Sequence, residues 1–307
     1  MKAVLMDRHG PPNVLYLGEA PDPKPKAGEI VVDIVAASVN GADPKVRDGK
    51  AAQLQRFPYI LGRDFSGVVS ALGEGVTDFR VGDEVFAVCD TGQEGAYAEK
   101  IAIKASIVAK KPAGLSHVEA AAVGLTGLTA LCTVEDTLKL KAGETILIQG
   151  GAGGVAAFAI ELAKHLGARV ITTASAANHD YLRKLGADEI IDYNAVDFTK
   201  VVKDCDAVFE TVGGDVAQRS FAVLKPGGRA AFIASGAQAP KPERGDVVAL
   251  RPAVPRDRPH LDRIAALVAS GAVHPPEIKL YSFSDAVEAH KVSEGRHFRG
   301  KLVFQVR

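Results

Sequence analysis

The sequence predicts an α/β protein in which a β-rich domain is joined to a doubly wound parallel sheet. Three observations support this. Residues 1 to about 115 alternate short β runs (IVVDIVAASV, GVVSALG, DEVFAVC, AYAEKIAI) with Gly, Pro and Asp turns and contain little helical periodicity. From about 117 the pattern becomes helix, strand, helix, strand: VEAAAVGLTGLTALCTVEDTL, TILIQ, YLRKLGA, EIIDY, DAVFETV, VAQRSFAVL and RAAFIAS. Between Thr145 and Ser175, an apolar strand, a glycine-rich turn, a helix and a second strand follow one another without interruption.

Ile146, Leu147 and Ile148 make the first of those strands. Val155, Phe158, Ala159, Leu162, Ala163 and Leu166 recur at helical spacing, and Gly167 stands where a helix C-terminus favours glycine. The turn between them holds Gly150, Gly151, Ala152, Gly153 and Gly154, with Val155 opening the helix. Glycines there permit positive φ and close backbone approach, so successive N–H groups and the positive helix end can hold a pyrophosphate. The spacing Gly150, Gly153, Ala156 keeps a small residue where the helix must pack closely on the strand. This is the pattern of a dinucleotide-binding βαβ unit.

Which dinucleotide is decided at the end of the second strand, where a carboxylate about 20 residues past the glycines would hold a ribose 2′-hydroxyl. The strand instead ends Thr172, Thr173, Ala174, Ser175, and the first acid is Asp180. A carboxylate would repel a 2′-phosphate and small hydroxyls would accept it, so NADPH is the expected cofactor.

The tail returns to the first kind of pattern. A helix (LDRIAALVASG), the segment IKLYSFSDAVEAHKVSEG and the strand KLVFQV rejoin the β-rich domain, giving expected domains of 1–116 with 258–307 and of 117–257. Residues 237–245 (AQAPKPERG) read as a surface loop. VVALRPAV, at 247–254, reads as a further strand whose exposed edge would suit pairing with a second subunit, so a homodimer is expected.

Composition narrows the partners. The 307 residues carry 37 basic and 37 acidic side chains, a net charge of zero, and no basic stripe interleaved with aromatics; neither nucleic acid nor an anionic membrane is an expected partner. No uninterrupted apolar run reaches about 18 residues. The N-terminus lacks a signal-peptide pattern, and three scattered cysteines (Cys89, Cys132, Cys205) fit a reducing cytoplasm. GRHFRGKL, at 295–302, imitates a phosphate-binding loop, but it lacks the closing Ser or Thr and runs into a strand. Serines such as Ser66 and Ser235 sit in no G-x-S-x-G elbow, which argues against a hydrolase. Asp43 and Asp64 read as residues that pin loops.

The segments ASVNGADPKVRDG, YILGRDFSGVV, VGDEVFA, GAYAEK, GLTGLTAL, GGAGGVA, LGADEIIDY, ETVGG, LKPGGRAAF and RGKLVF occur in one order along nearly the whole chain. In this they resemble the zinc-independent, quinone oxidoreductase-like branch of the medium-chain dehydrogenase/reductase family. The resemblance implies a GroES-like β-rich domain, a Rossmann domain and a cleft between them for cofactor and substrate. It also implies that Asn40 lies beside the nicotinamide and Thr129 near its carboxamide, with the loop at Gly213 and Gly214 passing over the cofactor. Tyr193 and Arg296 resemble positions that reach the 2′-phosphate. A lysine common after the second strand in this branch is Asn178 here.

Within that family the alcohol dehydrogenases use cysteine and histidine to bind a catalytic zinc. Here Asn40 stands at the first cysteine and Arg63, in LGRD, at the histidine. The eight histidines show no metal spacing, so no metal is expected. Without a metal, the natural reaction is hydride addition to an electron-poor carbon of a quinone or an α,β-unsaturated carbonyl. Asn40 or Lys45 is then the candidate donor to the oxygen that gains charge, and Tyr59 a candidate lining residue. The competing expectation is a non-catalytic NADPH-binding redox sensor or structural protein.

Overall fold

The computed structural model describes residues 1–51, 54, 56–236 and 239–307, and it divides into two compact units. The first comprises 1–125, 256–269 and 275–307; the second comprises 126–255 and 270–274.

The first unit is built on the long strand Glu29–Val39, whose β-branched residues suit a buried, paired position. It pairs antiparallel with Asp64–Leu72, Lys100–Lys104 and Lys301–Gln305. The sheet continues through Glu84–Val88 to Val108–Lys110 on one side and to Ile278–Tyr281 on the other. A three-stranded sheet (Tyr16–Glu19, Lys2–Met6, Tyr59–Ile60) completes the strands. Ile30, Val32, Ile34, Phe65, Val85, Tyr97, Leu302 and Phe304 are all buried in one core, which is why the strand Lys301–Gln305, far downstream in the chain, returns to this sheet. The resulting β-rich unit has the GroES-like form.

The second unit contains a six-stranded, wholly parallel sheet in the order Glu189–Asp192, Arg169–Ala174, Thr145–Ile148, Cys205–Glu210, Leu224–Phe232, Val248–Leu250. Numbered along the chain this is 3-2-1-4-5-6, the Rossmann order. Strand order reverses between the 145–148 and 205–210 strands, where such sheets bind ligands. The 248–250 strand lies at the sheet edge, within the segment read as a further strand. Of the loop read at 237–245, residues 237 and 238 lie outside the described residues.

The helix His117–Leu131 runs on as a wider π turn, Cys132–Thr137. Taken together, residues 117–137 have a mean hydropathy of 1.3 and are long and apolar enough to cross a bilayer, yet 72% of the most apolar window is buried in the structure. Glu119, Glu135 and Asp136 interrupt the stretch, which the sequence marks as a helix. Its apolarity is that of a core helix.

Candidate functional site

The glycine turn of the second unit is held by its own backbone. The Gly150 N–H donates to Thr173 Oγ1 (3.1 Å), Gly151 N–H to the Thr173 carbonyl (3.0 Å), and Gly153 N–H to the Gly150 carbonyl (3.0 Å). The glycines are needed for different reasons. Gly150 has φ +72°, and a Cβ on Gly151 would meet Thr172 Oγ1 at 2.2 Å. At Gly153, by contrast, a Cβ would meet only the Gly150 carbonyl oxygen, at an ordinary 3.5 Å. Protein packing therefore explains Gly150 and Gly151 but not Gly153, which caps the helix Gly154–His165. The cradle beside Gly153, facing first-turn N–H groups that have no intrahelical acceptor, fits a dinucleotide pyrophosphate. Ala152 lies in the same turn, Val155 begins the helix, and Ala156 is buried as close packing requires.

Around the turn, Thr211 Oγ1 donates to the Gln149 carbonyl at 2.7 Å, and Thr173 Oγ1 donates to Gln149 Oε1 at 2.7 Å. The buried Glu210 accepts from the N–H groups of Val212 (2.6 Å) and Gly213 (2.7 Å), which fixes the loop into the helix Gly214–Arg219. Gly213 has φ +86°. Past the second strand, Asn178 Nδ2 donates to Ser175 Oγ at 3.1 Å, so these two expected residues meet. Asp180 points its exposed carboxylate at Arg183 (2.5 Å). Tyr193 is exposed, and the Thr129 carbonyl accepts from Thr133 Oγ1 at 2.6 Å. Arg296 belongs to the first unit, where it ends the helix Ala286–Gly295 in a left-handed conformation.

In the first unit, sheet register brings distant residues together. Val39 pairs with Leu302 and Ala37 with Phe65, which sets Asn40 against Lys301 and Ser38 against Asp64. Asn40 Oδ1 accepts from Lys301 Nζ at 2.5 Å, and Asn40 Nδ2 donates to Asp64 Oδ1 at 2.7 Å and the Ser38 carbonyl at 3.3 Å. Asp64 also accepts from Ser38 Oγ (2.6 Å) and the Leu125 N–H (2.8 Å). Both amide hydrogens of Asn40 are thus engaged within the unit, so its part in any reaction is to be held in place. Burial holds the Lys301 ammonium below its ordinary pKa, against the pull of Asp64 and Asp43.

A second chain of contacts adjoins the first. Asp43 Oδ2 accepts from the Asn40 N–H (2.9 Å) and the Tyr97 hydroxyl (2.6 Å), and Asp43 Oδ1 lies 3.4 Å from Arg63 Nε. Burial pushes the Asp43 carboxyl up to about 6 despite these partners. Arg63 reaches on to Glu94 Oε1 at 2.8 Å. Tyr59, Arg63, Cys89, Glu94 and Arg256 line a cavity of about 410 Å³. Burial raises the Tyr59 hydroxyl to about 12, so it stays a donor. Lys45 lies exposed on the short helix Asp43–Arg47.

Asp43 pins the local turn at Asn40, as its sequence setting indicates, whereas Asp64, expected to pin a loop, opens the strand Asp64–Leu72 and ties it to Ser38, Asn40 and Leu125. Lys301 and Glu94 were not foreseen. The only signal for Lys301 was a lysine opening the apolar run LVF, which reads equally as the wet start of a strand. Glu94 sits in a loop with no pattern at all.

Comparison with known proteins matches residues 26–113 to the alcohol dehydrogenase GroES-like domain and 185–304 to a family described as zinc-binding dehydrogenase. The chain is 32% identical over 319 residues to the chloroplastic NADPH-dependent alkenal/one oxidoreductase of Arabidopsis thaliana, covering 99% of this chain and 79% of that protein. A solved quinone oxidoreductase from Coxiella burnetii is 35% identical with a TM-score of 0.91, covering 100% of this chain and 99% of that one. A solved NAD-dependent alcohol dehydrogenase is 31% identical with a TM-score of 0.92 and full coverage of both chains. With a GroES-like unit, a Rossmann unit and these relatives, the chain belongs to the medium-chain dehydrogenase/reductase family, in its zinc-independent, quinone oxidoreductase-like branch.

Proposed function

We propose that this oxidoreductase uses NADPH to reduce quinones or the conjugated double bond of α,β-unsaturated carbonyls, without zinc. The observation that carries the reading is the chemistry around Asn40. Where an alcohol dehydrogenase would place thiolate and imidazole ligands, this chain has an amide and a guanidinium, with the Lys301 ammonium 2.5 Å from the amide oxygen. Two cationic side chains, with neither thiolate nor imidazole at those two positions, disfavour a zinc ion there.

The turn from Gly150 to Val155 would hold the pyrophosphate. Thr129 and Gly213 are assigned to the nicotinamide half, and Ser175, Asn178, Tyr193 and Arg296 to the 2′-phosphate. Bound there, the reduced nicotinamide supplies the hydride. Lacking a Lewis acid to hold an alkoxide, the protein suits an acceptor that spreads the incoming charge by conjugation. The Tyr59 hydroxyl, kept protonated, is available to the acceptor's oxygen in the cavity. A homodimer joined through the 248–250 edge strand, and a reducing compartment such as the cytoplasm, in keeping with three buried cysteines that form no disulfide, complete the proposal.

The test is cofactor oxidation across a panel of enones, alkenals and quinones, with and without a chelator. Turnover with NADPH that survives chelation is the expected result. Oxidation of simple alcohols with NAD⁺, lost on chelation, would instead place the protein with the alcohol dehydrogenase among its structural relatives.

A further inference from the structure

Within the first unit, Glu94 is a buried carboxyl with one oxygen committed and one idle. Its side chain is 6% exposed, and Oε1 takes both contacts from Arg63, at 2.8 and 3.0 Å. Oε2 is buried and has no hydrogen-bond partner. A buried polar atom left unpaired carries its desolvation cost uncompensated, a cost expected where the atom serves a ligand. Glu94 stands in the wall of the 410 Å³ cavity, beside Tyr59, Cys89, Asp90 and Arg256.

Resting on the reading of the chain as a reductase of conjugated carbonyls, we propose that Glu94 is the catalytic acid, its Oε2–H protonating the α-carbon of an acceptor bound in this cavity. Hydride adds to the β-carbon, and the double-bond pair moves to the α-carbon and carbonyl oxygen. The Glu94 O–H bond then breaks, its electron pair stays on the carboxylate, and the substrate's pair forms the new C–H bond. One hydride and one proton complete the two-electron reduction of one C=C, and water reprotonates Glu94. Arg63 keeps the carboxylate bearable between turnovers, while Tyr59 is left to bind the carbonyl oxygen.

Electrostatics suit the task. Burial, reinforced by the Asp43 carboxylate, pushes the Glu94 carboxyl up to about 7 against the opposing Arg63 guanidinium. Of the other ionisable groups around it, the Cys89 thiol, like the Tyr59 hydroxyl, is raised by burial, Asp90 is held low by its hydrogen bond with Lys104, and Asp43, pushed up to about 6, loses its proton before Glu94 does. An acid poised near the working pH is the efficient choice for proton transfer.

The experiment combines kinetics with a direct titration. In the wild type, kcat/KM for an enone should fall tenfold per pH unit above about 7. The E94Q variant keeps the shape and a hydrogen-bond donor but has no proton to give, so its turnover should drop about a hundredfold or more and lose that falling limb. Independently of substrate and cofactor, the ¹³C carboxyl resonance present in wild type and absent in E94Q should titrate near 7. If E94Q does not fold, infrared titration of buried carboxyl bands in the wild type decides the same point. E94Q turning over at the wild-type rate with the same pH profile, or a Glu94 carboxyl titrating near an ordinary 4.3, overturns the assignment and leaves the reductase reading standing. A wild type inert toward every conjugated acceptor overturns both.

Discussion

The glycine turn and the Asn40 cluster are built on opposite principles. The turn is contiguous, made almost wholly of backbone, and its demands on sequence are steric: Gly151 has no room for a side chain because Thr172 fills it, and Gly153 has room that the protein itself does not use. The Asn40 cluster is assembled from side chains on the 29–39, 64–72 and 301–305 strands, joined by charge and hydrogen bonds in a buried setting. A backbone site tolerates most change around it and fails at one or two positions. A side-chain network shares its failure among all its members.

The largest effect should come from cutting the network. Lys301→Met removes the hydrogen bond that Lys301 Nζ gives to the buried Asn40 Oδ1, and should cost about 1–3 kcal/mol of stability in chemical denaturation, as a buried acceptor left unpaired does. A loss of a few tenths would show that the ammonium is dispensable and the cluster loosely coupled.

Two alanines separate the roles inside the turn. Gly151→Ala forces its Cβ against Thr172 and should destabilise the protein by about 1–3 kcal/mol. Gly153→Ala should leave thermal stability within about 0.5 kcal/mol while weakening NADPH binding, measured by fluorescence titration, because it fills only the ligand cradle. Equal losses of stability in both variants would mean that Gly153 serves packing after all.

Smaller effects are expected at the periphery. Arg296→Ala should weaken NADPH by about 1.5–3 kcal/mol and leave NADH nearly unchanged, as loss of one charged hydrogen bond to a 2′-phosphate would. Equal weakening of both cofactors would remove Arg296 from that role. Lys45→Ala, at an exposed position, should change stability and kcat for enones by no more than about 0.5 kcal/mol. A larger fall in kcat, with KM unchanged, would restore Lys45 as a donor to the charged oxygen.

The same contrast sets what could be read from sequence. The turn, the helix behind it and the acid-free end at Ser175 were legible because each depends on neighbours within a few residues. So was the return of the C-terminal strand to the first unit, since KLVFQV carries the β-rich pattern of that half. Lys301, Glu94 and the partner of Asn40 were not legible: their roles follow from cross-strand register and burial, which no local spacing encodes. Helix 117–137 was legible as a helix, while its burial, 72% of the most apolar window, follows from the fold.

The most direct measurement follows the hydride itself. NADPH carrying deuterium at C4 should deliver its label to the β-carbon of an enone, giving a saturated ketone deuterated there and nowhere else. Label at a carbinol carbon, with the double bond intact, would contradict the account and mark the protein as a carbonyl reductase of the alcohol dehydrogenase kind.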